Sequence, residues 1–394
     1  MKAVVLDAKW SPRKDFVLGN KDVDGKLTYL GSKVWRQPQV RIKTVDRPKI
    51  KNDEVLIKVR ACGICGSDVH MAQADSEGYI FYPGLTAFPV VLGHEFAGTV
   101  AEAGKKAINK STGKKFAEGQ AVCSEEMIWC SCCRPCADGY PNNCESLQEL
   151  GFSVDGAFTE YVAVNARYLW SLDELKESLG SGDELFVAGS LVEPTAVAYN
   201  AVIERGGGIR PGDNVVILGG GPIGPAAASI LKRAGAAKLI LSEPQTERAE
   251  MAKKMGVTHI INSQKEDFAE RVLEITDGYG ANLYLEATGL PNQVFAGIEK
   301  TIWEGKALNA RVVIVARADT KIPITGEVYQ VRRASIIGAQ GHSGHGNFPR
   351  VISLMASGMD MRPIVTKRIK LDDVPKNIVA LQTDRKECKV TAII

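Results

Sequence analysis

The sequence predicts an α/β protein of two domains, a β-rich unit followed by a doubly wound parallel sheet. Three observations predict it. The chain has 394 residues, more than one ordinary core holds, so two domains are expected. Up to about residue 195 it reads as short apolar runs punctuated by glycine and proline, the pattern of strands joined by turns. From Val197 onward, short apolar runs alternate with helical stretches, the grammar of repeated strand–helix units.

Taken in order, Met1 to Asp7 is strand-like and lacks the charged start and long apolar stretch of a secretion signal. Glu54 to Arg60 and Phe96 to Ala101 are further strands of the β-rich unit. Asn214 to Leu218, bounded by Gly212 and Gly219, is the first buried parallel strand. A helix over Pro222 to Ala234, a strand over Lys238 to Ser242 and a helix over Thr246 to Met255 follow. The alternation continues through His259 to Asn262, Phe268 to Thr276, Leu283 to Ala287, Asn292 to Trp303 and Arg311 to Ala316. The glycine-rich Gln340 to Asn347 breaks it. The domains are therefore expected at 1–194 and 195–337, with 338–394 returning to the first. Trp10 to Pro38 and Lys105 to Lys115 look like additions.

Composition narrows the function. A net charge of +3 implies no nucleic-acid or membrane partner, and no run of about 18 apolar residues suggests a bilayer span. Nine cysteines in a chain without a leader are expected to stay reduced in the cytoplasm rather than form disulfides. Cys130, Cys133, Cys136 and Cys144 follow as C-x2-C-x2-C-x7-C, which supplies four thiolates to a tetrahedral zinc ion at a closed, structural site. An iron–sulfur cluster and a set of free thiols are the competing readings. Cys132 is a bystander, and Cys62, Cys123 and Cys388 are expected to be buried structural thiols.

A second zinc site is expected from three distant segments: Cys65 in Gly63-Ile64-Cys65-Gly66-Ser67-Asp68, His94 in Gly93-His94-Glu95, and Glu193 before Pro194. One sulfur, one imidazole and one carboxylate leave a position open for a substrate oxygen, as a catalytic site needs. Glu95 reads as a fourth, exchangeable ligand or a neighbour of the ligands, and Asp68 as the group that orients His94. Ser67 and His70 are placed to carry a proton outward.

Gly219-x-Gly221-x-x-Gly224, with Pro222 and Ile223 inside it, follows a strand and opens a helix, the context a dinucleotide fingerprint requires. Glu243 ends the next strand about twenty residues on. A carboxylate there accepts from a ribose diol and repels a 2′-phosphate, which favours NAD over NADP. Arg248 nearby argues the other way.

These motifs, in this order and over essentially the whole chain, resemble the zinc-containing medium-chain dehydrogenases. The resemblance implies a GroES-like catalytic domain made of both chain ends around a central Rossmann domain. It also implies two zinc ions per subunit, NAD, and a homodimer or homotetramer. By it Cys65, His94 and Glu193 bind catalytic zinc, Glu95 is a near ligand, and Ser67 and His70 relay the proton. Glu193, where many alcohol dehydrogenases carry cysteine, resembles the polyol branch. A closer likeness to enzymes of cyclitols is carried by Lys9 to Pro12, Leu30 to Trp35, Asp68 to Gln73, Gly78 to Gly84 and Gly338 to Ser357. Cys132 and Pro225 depart from that pattern. For such a substrate Glu95, Glu125, Glu126, Gln340, His342 and His345 are expected to supply hydrogen bonds, with Trp10 to Pro38 walling in the ring. A simple alcohol or amino-acid dehydrogenase and a non-enzymatic zinc-stabilised binding protein are the alternatives.

Overall fold

In the computed structural model, which describes residues 1–394, the chain forms two units. The first comprises Met1–Glu193, Phe348–Arg385 and Lys389–Ile394; the second comprises Pro194–Asn347 and Lys386–Cys388.

The strand Glu54–Gly63 organises the first unit. It lies at the centre of a seven-stranded sheet ordered Leu169–Ser171, Ala121–Ser124, Glu95–Ala103, Glu54–Gly63, Lys389–Ile393, Val365–Lys370, with Tyr161–Asn165 also paired to it. Its β-branched residues Val55, Ile57 and Val59 enter the main core with Phe96, Val122 and Val390. Each such side chain, fully buried, contributes about 1.5–3 kcal/mol. The register sets Gly63 opposite Glu95 on one neighbour and opposite Thr391 on the other. Residues from three remote parts of the chain therefore meet at the end of one strand.

The stretch expected as an addition, Trp10 to Pro38, ends the strand Lys2–Trp10, forms the short helix Gly31–Val34 and begins the strand Trp35–Thr44. Its Trp35 packs between Trp10 and Phe88, both at 5.0 Å between ring centroids. Arg13 lies 3.9 Å over the Tyr79 ring and pairs with Asp75 and Glu77. Thr28 and Thr86 exchange backbone hydrogen bonds. The segment thus pins residues 75–88. The Lys105 to Lys115 stretch is tied down by Lys110, whose ammonium sits 3.6 Å above Trp170.

The second unit is a parallel six-stranded sheet ordered His259–Ile261, Lys238–Ser242, Asn214–Leu218, Leu283–Glu286, Arg311–Ile314, Ser335–Gly338. The chain order reverses at Asn214–Leu218, as in a doubly wound sheet. The expected return at residue 338 comes later, at Phe348. Two contacts hold the intervening residues: Ala339 N–H donates to Ile314 O, prolonging the last strand's pairing, and the Asn200 amide donates to the carbonyls of Gln340 and Gly341. One helical stretch, Asp183–Arg205, is long and apolar enough by length and composition to cross a membrane. With 83% of its apolar window buried, it has the character of a core helix.

Candidate active site

In the first unit, Cys65 precedes the helix Gly66–Ala72, which carries Ser67, Asp68 and His70. The Cys65 N–H donates to Asp68 Oδ2 at 2.9 Å, fixing the turn that presents the thiol. His94 immediately precedes the strand Glu95–Ala103. Strand pairing brings these elements together, and donor atoms of Cys65, His94 and Glu95 lie within 4.8 Å of one another. Burial opposes a charge on His94, but Asp68, the Cys65 sulfur and Glu193 outweigh it and hold the imidazole well above its ordinary range. So many anionic groups around one buried ring call for a cation, and zinc satisfies that demand with a neutral imidazole.

Glu193, at the start of the helix Val192–Tyr199, stands outside the trio. Its carboxylate lies within 4.8 Å of that of Glu126, and its charge still reaches His94. Asp68 Oδ1 is 3.9 Å from His94 Nδ1, too long for the expected hydrogen bond, and both buried atoms lack a partner. Ser67 Oγ is likewise buried without a partner, a hydroxyl available to a bound group. Phe152 stacks 4.7 Å from the His94 ring and Tyr82 lies 5.2 Å from Phe152, forming an aromatic wall. Burial, with Arg385, lowers the His70 pKa. The His70 carbonyl accepts from Phe81 N–H and Tyr82 N–H, tying this helix to the loop that Arg13 pins.

Sequence reading missed Lys389. Its side chain is 1% exposed, and its ammonium donates to Glu95 Oε1 at 2.7 Å, Glu95 Oε2 at 2.5 Å and Ile64 O at 2.9 Å. A lysine in a C-terminal strand carries no motif; only the register with Gly63 could have pointed to it.

The four-cysteine loop also assembles as a candidate metal centre. The sulfurs of Cys130, Cys133, Cys136 and Cys144 lie within 4.8 Å of one another. Cys130 N–H donates to the Cys144 sulfur at 3.2 Å, and Cys133 N–H to the Cys130 sulfur at 3.3 Å. Donation from the Cys132 and Cys133 backbones lowers the Cys130 pKa to about 6, whereas burial pushes Cys136 up to about 12. Four thiols in such proximity do not all ionise on their own; a divalent metal displaces their protons. Cys132 is exposed and Cys62 buried, the latter pushed well above its ordinary range by burial.

Glu125 is corrected. It accepts from Trp170 Nε1 at 2.8 Å and Trp129 Nε1 at 3.3 Å and faces Lys110 at 3.3 Å, so it is a structural anchor rather than a substrate contact.

In the second unit, Gly219, Gly221 and Gly224 sit between the strand Asn214–Leu218 and the helix Ile223–Arg233. Gly219 has φ +107°, and a Cβ there would lie 2.9 Å from Ala287 O. A Cβ on Gly224 would lie 2.1 Å from Gly219 O, whereas Gly221 faces open space. That gap, beside Pro222 and Ile223 at a helix N-terminus, suits a phosphate. Buried Glu243 accepts from Gly220 N–H at 2.7 Å and Gln245 N–H at 2.8 Å, so it also shapes the glycine loop. Arg248 donates twice to Glu387 O. His342 is buried, with Ser343 Oγ 3.2 Å from its Nδ1, whereas His345 is exposed.

Residues 51–174 match the alcohol dehydrogenase GroES-like domain, and residues 222–357 the zinc-binding dehydrogenase family. The chain is 64% identical to a scyllo-inosose 3-dehydrogenase of Thermotoga maritima, over 100% of both. It is 31% identical to an L-threonine 3-dehydrogenase of Caldanaerobacter subterraneus, over 90% of this chain and 96% of that protein. Among solved structures, one from Thermotoga maritima described as an alcohol dehydrogenase superposes with a TM-score of 0.97 at 64% identity, covering 100% of both chains. The 2R,3R-butanediol dehydrogenase of Bacillus subtilis superposes with a TM-score of 0.76 at 28% identity, over 100% of this chain and 99% of that one. With its sulfur, imidazole and carboxylate donors gathered in one unit and its glycine fingerprint in the other, this chain belongs to the zinc-binding medium-chain alcohol dehydrogenases, NAD-dependent oxidoreductases built from a GroES-like and a Rossmann domain.

Proposed function

We propose that this chain oxidises a secondary hydroxyl of scyllo-inosose or a closely related cyclitol ketone. The observation that carries the reading is the end-to-end 64% identity with a scyllo-inosose 3-dehydrogenase. Cys65, His94 and Glu193 would hold one zinc ion, and Cys130, Cys133, Cys136 and Cys144 another. Gly219, Gly221, Pro222, Ile223, Gly224 and Glu243 would cradle the dinucleotide, with Arg248 kept away by its bonds to Glu387. Zinc supplies a Lewis acid for the hydroxyl oxygen and the nicotinamide a hydride acceptor. The protein's own groups move the proton. Ser67 Oγ, without a partner, takes it from the substrate hydroxyl while releasing its own toward His70. Neutral His70, its pKa held down by burial, accepts it near neutral pH.

The pinned 75–88 loop and the Tyr82–Phe152 wall suit a bulky ring. Free cysteines throughout suit the cytoplasm. An NAD-coupled screen of ethanol, cyclohexanol, threonine, 2,3-butanediol, inositols and inososes tests the reading. Inososes should exceed cyclohexanol in kcat/KM by on the order of 10⁴-fold, because a site built around hydroxyls leaves its polar groups unpaired against an analogue lacking them. Comparable turnover of simple alcohols would reduce the assignment to the family.

A further inference from the structure

Tyr79 lies in none of the motifs, yet the stretch Trp10 to Pro38, which the sequence presents as an addition, converges on it. The Arg13 guanidinium is 3.9 Å and that of Arg36 4.9 Å from the centre of its ring, and the ring is buried. Both cations are tied to the same turn. Arg13 pairs with Asp75 and Glu77, and Arg36 donates to Glu77 O at 2.6 and 3.1 Å. Asp75 Oδ1 accepts from the N–H groups of Glu77 and Tyr79, each at 2.9 Å. A guanidinium over an aromatic face attracts it as well as filling space, so these contacts fix the ring and the turn together.

The same stretch holds the loop at two further points. Gly31 brings bare backbone against it: a Cβ there would lie 2.9 Å from Tyr82 O and 2.7 Å from Thr86 Oγ1. Gly31 N–H donates to Gly84 O, and Thr28 exchanges hydrogen bonds with Thr86. Between these points sits Tyr82. Its N–H donates to His70 O at 3.2 Å, and its ring meets Phe152, itself 4.7 Å from the His94 ring. A line of contact therefore runs from Arg13 and Arg36 through residues 79–82 to the aromatic face beside a candidate metal ligand. A six-membered polyol carries its hydroxyls on the rim and C–H groups on its faces, and such a face packs on an aromatic ring. We infer that Arg13, Arg36 and Gly31 are positioning residues that set substrate specificity: by fixing Tyr79 and Tyr82 they hold the Tyr82–Phe152 wall where a cyclitol ring rests, without touching that ring themselves. The inference rests on the cyclitol reading of the site.

The test uses the full-length zinc enzyme. Steady-state kinetics with NAD are measured beside titration of scyllo-inosose into the enzyme–NADH complex, followed by the fluorescence of the reduced nicotinamide. Arg13→Ala/Arg36→Ala and Tyr79→Leu should raise both the KM and the dissociation constant for scyllo-inosose on the order of tenfold. Their kcat and their KM for NAD should stay within about twofold of wild type, the signature of lost substrate binding rather than lost chemistry. Tyr79→Phe keeps the ring and should behave as wild type. Gly31→Ala pushes on the Tyr82 carbonyl from the other side and should raise the same two constants, a second route to the readout should the arginine variants not fold. Unchanged inosose constants in Tyr79→Leu or in the double arginine variant would overturn the assignment. So would a parallel loss in kcat and in the KM for NAD, or a Tyr79→Phe as impaired as Tyr79→Leu, since each marks a general structural role. Wild type that does not turn over scyllo-inosose would instead bring down the cyclitol reading, and this role with it.

Discussion

His70 is one of five histidines, and its setting gives it a distinct titration. Burial is the larger cause of its lowered pKa, and Arg385 adds to it. Its acidic limb of activity should therefore fall below the ordinary 6.5: the ring is neutral and able to accept at pH 7, and loses that ability only as pH drops through the lowered value. His70→Ala should cost about 10²-fold in rate at neutral pH and less at alkaline pH, where hydroxide substitutes. A pH–rate profile of equal depth throughout would leave the relay without support. Cys65 and His94, whose donor atoms the fold brings together, were legible in the sequence because glycine-flanked cysteine and histidine motifs are local. Lys389 was not, because its meaning depends on a partner 294 positions away. The hydrogen bond expected between Asp68 and His94 likewise depends on a fraction of an ångström that no spacing encodes.

At the scale of elements, the glycine loop and Glu243 form one structure. Removing the carboxylate leaves the buried Gly220 N–H without its acceptor, a cost of about 1–3 kcal/mol. Glu243→Ser should therefore weaken NAD binding, improve NADP relative to it, and lower the melting temperature even without cofactor. Titration calorimetry with both dinucleotides, beside a thermal scan, checks this; an unchanged melting temperature would deny the carboxylate its place in the loop. The four-cysteine loop holds too little apolar core to stand on its own, with Met127, Cys144 and Leu147 as its buried cluster. Cys136→Ser should lower zinc content by one ion and impair folding, since metal binding there is part of the folding free energy. Cys65→Ser should remove one ion and leave the melting curve nearly unchanged. The strands Asn214–Leu218 and Lys238–Ser242 were readable to the residue because buried parallel strands are continuous apolar runs with glycine at their ends. The point of return to the first unit, at Phe348 rather than 338, was not, because the Asn200 side chain reaches Gln340 and Gly341 and holds them in the second unit.

At the scale of the molecule, the second unit's sheet ends in Ser335–Gly338, whose Ile336 is exposed. An apolar edge strand is a template for pairing with another chain, and a second copy across a twofold axis would cover it. Wild type should therefore sediment as a dimer or larger oligomer, and Ile336→Lys as a smaller species; a wild-type monomer would refute this. The strand Lys389–Ile393 bears on the molecule's history as well as its chemistry. Lys389 and Ile64, which it contacts, are separated by 325 positions, and the second unit is translated between them. During synthesis the Ala61–Gly63 end of the strand Glu54–Gly63 must wait with one edge open until residues 389–393 leave the ribosome, a state exposed to mispairing. The Rossmann unit, nearly continuous in sequence, faces a much shorter wait. Stop codons just before Lys389 should thus yield chains that hold nucleotide yet aggregate through the unclosed sheet, and slowing elongation late in the message should change the yield of active protein more than slowing it early.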